Sequence, residues 1–164
     1  LIFTAFSENE AAPLLGLAKG NWLASCGGLY RTASVCENYF SDIPKYFEWT
    51  WLAIRLSLDK KIVFLDMPTF VVNDTSGSLS KTDAYDLEEF DFIYRVMREL
   101  PVPEDFKRSL KKKLAGKYIG FANRYLSNGQ RLKALRYYFR CIGVGREGLP
   151  YVPWPRKLLM SYRR

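Results

Sequence analysis

KKIVFLDMPTF, residues 60–70, is the stretch on which the reading of the fold turns. Ile62, Val63, Phe64 and Leu65 form a short run of β-branched and bulky apolar residues, the composition of a buried strand. Pro68 stops that run, because proline has no N–H to give to a ladder. TFVV (69–72) then reads as a second strand at a sheet edge, and NDTSGSLSKTD (73–83) as a polar loop of turn-forming residues. Upstream, Asn21 to Tyr30 reads as another strand-like run, in which Gly27-Gly28 marks a bulge or a close backbone approach. Between these runs lies a buried helix, Glu48 to Leu58, carried by Trp51, Leu52, Ile54, Leu56 and Leu58. The expectation for residues 1–82 is therefore an α/β half.

Beyond residue 83 the period becomes helical and stays so. YDLEEFDFIYRVMREL sets Leu87, Phe90, Ile93, Tyr94, Met97 and Leu100 on one face and stops at Pro101. A second helix follows Pro103, with Glu104 and Asp105 in its first turn and the stripe Phe106, Leu110, Leu114, Tyr118, Phe121 and Tyr125. SNG (127–129) supplies a glycine stop. A third helix, QRLKALRYYFRCIG, carries Leu132, Leu135, Tyr138, Phe139 and Ile142. This pair resembles one helix-turn-helix unit of the tetratricopeptide sort, with Ala134 at a small-residue packing position. Residues 83–164 thus read as an all-helical C-terminal extension.

Composition narrows the chemistry. The 164 residues contain no histidine, which removes His triads, His metal ligands and His general bases together. Acid–base work falls to carboxylates, Tyr, Lys or Cys. Cys26, Cys36 and Cys141 form no CxxC pair and fit neither a disulfide framework nor a zinc knuckle. No apolar run approaches the length of a membrane span. The chain starts at Leu1 and runs at once into patterned sequence, which reads as a piece of a longer protein. Residues 1–100 hold 9 Lys/Arg against 14 Asp/Glu, a net of −5, and residues 101–164 hold 16 against 3, a net of +13. The second half is built to meet anions.

One acid stands out. In FEWTW, residues 47–51, Glu48 sits among Phe47, Trp49 and Trp51. A carboxylate among rings is either a surface acid at a helix start, where negative charge is favourable, or a base at the floor of a site.

The order of motifs supplies a second line of reasoning. Leu29-Tyr30-Arg31, Glu48-Trp49, Lys61-Ile62, Leu65-Asp66, Pro68 and Gly77-Ser78-Leu79-Ser80 follow one another as in the C-terminal half of a family-2 glycosyltransferase of the GT-A type, which residues 15–82 resemble. The resemblance implies a GT-A-like α/β half, a nucleotide-sugar donor and a saccharide or lipid-linked hydroxyl acceptor, with inversion at the sugar. It also implies a divalent metal, Mg or Mn, whose ligands lie outside this chain. Glu48 stands where the family's catalytic acid precedes an aromatic, so it is the expected base. Trp22, Gly27, Gly28, Arg31 and Trp49 are the expected substrate contacts, with Asp74 and Thr75, which stand where the family often carries Arg and His. Such enzymes build surface polysaccharides or glycolipids, which implies a cytoplasmic protein peripheral at the inner face of the membrane. The competing reading is a non-catalytic basic helical module that binds a protein partner, an anionic membrane or nucleic acid. Nucleic acid is disfavoured by the acidic first hundred residues and by the lack of a recognisable motif.

Overall fold

The structure is a computed structural model, and it describes residues 13–19, 31–60, 62 and 82–151. Helices α1 (Pro13–Lys19), α2 (Glu48–Asp59), α3 (Asp83–Glu99), α4 (Glu104–Ser127) and α5 (Arg131–Gly143) are joined by 3-10 turns at Thr32–Ser34, Glu37–Phe40 and Arg146–Tyr151. Among the described residues every regular element is helical and there is no strand. For the described residues that corrects the α/β expectation to an all-helical one. The strand reading rested on apolar runs too short for periodicity to decide their type. Ile62, which opens the expected strand at 62–66, is in no strand and packs as a single apolar side chain against Tyr39, Leu52 and Leu56. The remaining expected strand residues (21–30, 63–66 and 69–72) lie outside the described residues, as does the GSLS loop.

The chain divides into two compact units, Leu1–Phe106 and Lys107–Arg164. In the first, α1 packs on α2 through Leu14, Leu17 and Ala18. Helix α2 buries Trp51, Leu52, Ala53, Ile54 and Leu56, each worth up to about 1.5–3 kcal/mol for the larger side chains. Two polar ties fix α2 to the turn before it. Tyr39 donates its hydroxyl hydrogen to Asp59 Oδ2 at 2.7 Å, and Arg55 donates to the Asn38 carbonyl at 2.6 Å. Helix α3 starts at Thr82, whose Oγ1 accepts from the Tyr85 N–H at 3.2 Å, a side-chain cap at the helix entry. Its buried face is rotated from the expected one. Phe90, Phe92, Ile93 and Val96 are buried, while Leu87 and Tyr94 face solvent. The reason is aromatic: Phe47 stacks on Phe92 with centroids 4.6 Å apart, and Trp51 meets Phe92 edge-on at 6.4 Å. Those contacts draw Phe92 inward and carry Leu87 outward.

The second unit is an antiparallel-type helix pair built on a close approach. Helix α4 ends in a Schellman motif: Gln130 N–H donates to the Tyr125 carbonyl, Gly129 N–H to the Leu126 carbonyl, and Gly129 takes φ +72°. Helix α5 buries Ala134, Tyr138 and Cys141. The Cys141 thiol donates to the Ala115 carbonyl at 3.3 Å, and burial pushes its pKa up to about 11. The turn Arg146–Tyr151 folds back on α5. Gly148 is needed there, since a Cβ would overlap the Cys141 carbonyl.

Candidate functional site

Glu48 opens α2 and is exposed. Its Oε1 accepts the Tyr46 N–H at 3.2 Å, so one carboxylate oxygen is oriented by the backbone just before the helix. The positive end of the helix macrodipole favours a negative charge at this position. Trp49 beside it keeps 45% of its surface exposed. The other two rings of FEWTW are core: Phe47 and Trp51 are each 4% exposed. Glu48 is therefore not walled on all sides, and of those three rings Trp49 alone shares the surface with it.

The backbone that delivers Glu48 is strained. Asp42 has φ +56° and Tyr46 φ +67°, in the left-handed region where side chains are crowded. Such residues cost about 1–3 kcal/mol each and persist where the surroundings fix them. Here the fixing groups are identifiable. Arg95 of α3 donates to both the carbonyl and the carboxylate of Asp42 and pairs with Glu99 at 2.7 Å. Its guanidinium also lies 4.8 Å from the Trp51 ring centroid, over the indole face. The Tyr46 ring is held against Tyr85 at 6.1 Å, with the Lys45 ammonium 4.9 Å from its centroid. Arg95 and Arg98 hold the Glu99 carboxyl below its usual range by hydrogen bonding. Trp51 Nε1 is a buried side-chain polar atom without a hydrogen-bond partner.

The structure thus brings together Glu48 and Trp49 on the first turn of α2. Arg31 is exposed and precedes the Thr32–Ser34 turn, where its carbonyl accepts the Ser34 N–H at 2.8 Å. Trp22, Gly27, Gly28, Asp74 and Thr75 lie outside the described residues. Sequence reasoning missed Asp42, Tyr46 and Arg95, the groups that set the approach to Glu48. A left-handed tyrosine leaves no compositional mark, and Arg95 meets Asp42 across 53 residues of chain. Among the described residues no three His, Cys, Asp or Glu side chains converge as a metal site. No described helix is long and apolar enough to cross a membrane.

Chemically, a carboxylate with one oxygen fixed by an N–H can take a proton on the other, and an exposed indole offers an apolar face to a ring. No protein-family model, no curated protein and no solved structure matches the chain.

Proposed function

We propose that this chain supplies the acceptor-side portion of a family-2-like glycosyltransferase, with Glu48 as its general base. The observation that carries the reading is the position of Glu48. It is exposed at the start of α2, oriented by the Tyr46 N–H, and delivered by a strained segment that Arg95 pins. The ordered motif set around it supports the same reading.

In the reaction the acceptor hydroxyl oxygen attacks the anomeric carbon of the donor sugar. The hydroxyl proton passes to Glu48, and the nucleoside diphosphate leaves with the electrons of the broken glycosidic bond. Attack from the face opposite the leaving group inverts the anomeric centre. Proton removal by a positioned base is worth roughly 10²–10⁴-fold in rate. Trp49 stacks on the acceptor ring, and Arg31 carries a charge suited to a phosphate. The divalent metal of the family, Mg or Mn, would on this reading be held by residues outside this chain. The acceptor is a saccharide or lipid-linked hydroxyl at the cytoplasmic leaflet, in surface polysaccharide or glycolipid synthesis.

The test uses the protein at the full length in which it is made, with a panel of UDP-, GDP- and dTDP-sugars and a membrane lipid extract as acceptor. The expected result is nucleoside diphosphate release that depends on the extract, with an inverted linkage in the product. Failure of every donor to bind, or a product with retained configuration, contradicts the proposal.

A further inference from the structure

Helix α5 carries an exposed apolar stripe and, beside it, a row of exposed cations. The buried side is Ala134, Tyr138 and Cys141. On a 3.6-residue helix, Leu132, Leu135, Phe139 and Ile142 fall on an adjoining stripe. Leu132 is 85% and Phe139 66% exposed, and Leu135 and Ile142 are half-buried at its edge. Next to that stripe lie Lys133, Arg136 and Arg140, all exposed, and α5 contains no acidic residue. Leu149, on the turn that docks against Cys141 and Ile142, is also 56% exposed. Residues 107–164 as a whole hold 16 Lys/Arg against one acid, Glu147, a net of +15.

We infer that this face of α5 seats on an anionic lipid surface, with Leu132 and Phe139 entering the headgroup boundary and Lys133, Arg136 and Arg140 meeting lipid phosphates. A helix lying in that plane needs leucine or phenylalanine entering the lipid and cations flanking them, which is what α5 offers. The charge on the page selects the occupant. The same face of a second copy would set two +15 units and their cations against each other. Single-stranded nucleic acid needs a platform of open aromatic faces to stack on, and of the three rings of α5 Phe139 alone is open. Tyr137 stacks on Phe121 at 5.1 Å and on Tyr125 at 5.3 Å, while Arg124, Lys133 and Arg140 lie over Phe121, Tyr125 and Tyr137. The inference deepens the membrane part of the proposed function and is independent of Glu48.

The experiment is flotation of the protein with vesicles of phosphatidylcholine alone and of equal parts phosphatidylcholine and phosphatidylglycerol. Binding is expected to the mixed vesicles, to weaken with added salt, and to fall at least about tenfold in the Leu132→Ser/Phe139→Ser pair. Arg136→Gln is expected to weaken it about fivefold. Both apolar side chains are exposed, so far-UV circular dichroism of the pair should match the parent. Absence of binding to the mixed vesicles overturns the inference, as does binding that ignores Leu132 and Phe139. A chain that self-associates through those residues, or binds single-stranded RNA in preference to vesicles, overturns it too. Failure of the sugar-transfer assay with vesicle binding intact would separate this surface from the Glu48 reading.

Discussion

The two units solve different problems with the same kind of element. Residues 107–164 gain order from contacts between elements that follow one another along the chain: a Schellman turn, the Cys141 thiol bonded to the Ala115 carbonyl of the preceding helix, and a glycine that lets a turn lie flat on α5. Residues 1–106 gain it from long-range ties, the Phe47–Phe92 stack and the Arg95–Asp42 pair, which hold two left-handed residues in place. The first unit's charges total 9 Lys/Arg against 16 Asp/Glu, a net of −7, opposite in sign to the second. On the two proposals, chemistry belongs to the first unit and adhesion to the second. A strained, cross-linked segment can position one carboxylate, whereas a regular basic helix can present a surface.

The largest expected break in this comparison comes from Phe92→Ala. Removing a ring that meets both Phe47 and Trp51 should cost about 3–5 kcal/mol. Hydrogen exchange should show the loss of protection in α2 and α3, with α5 protected as before. Equal loss in α5 would mean that the two units are not separate in stability. Gly148→Ala should do the reverse at about 1–3 kcal/mol, deprotecting α5 and sparing α2, because the added Cβ has to push the turn off the Cys141 carbonyl. A neutral result would show that the close approach is not needed.

How much of this was legible in the sequence differs by element. The start of α2 at Glu48 and the end of α5 at Gly143 could be read from apolar spacing and a glycine stop. Ala134, set at a small-residue packing position by the resemblance to a tetratricopeptide-like helix pair, is fully buried. The buried face of α3 was not, since the helix carries two overlapping apolar stripes and the choice between them lies with Phe47 and Trp51 from another segment. Of the apolar residues that the third helix carries, Tyr138 is buried, whereas Leu132 and Phe139 are exposed. Hydrophobic periodicity locates an apolar face without saying what covers it. The α/β expectation leaned on runs of four or five apolar residues, which carry too little period to fix a strand; among the described residues the regular elements are helical. Glu48 and Trp49 could be picked out as a pair, but the groups that orient them could not.

A smaller effect should sharpen the account of the first unit. The bond to Asp59, with burial and the Asp59 charge, pushes the Tyr39 hydroxyl up to about 12. Its folded pKa lies above the ordinary tyrosine value, so the protonated form is favoured by folding. That contribution is complete below about pH 10 and is lost as the pH rises through about 12. Tyr39→Phe should therefore lose stability at neutral pH and show a shallower alkaline decline over that window in urea melts. An unchanged slope would mean that the Tyr39–Asp59 bond does not hold in solution.

The central claim is that Glu48 takes the acceptor's proton. It is tested most directly by comparing Glu48→Gln with the parent protein at its full natural length, measuring acceptor-dependent sugar transfer and, separately, donor affinity. Glutamine keeps the carbonyl oxygen that accepts the Tyr46 N–H but cannot take the proton. Transfer should fall by about 10²–10⁴-fold with donor affinity unchanged; transfer within a few-fold of the parent would contradict the claim.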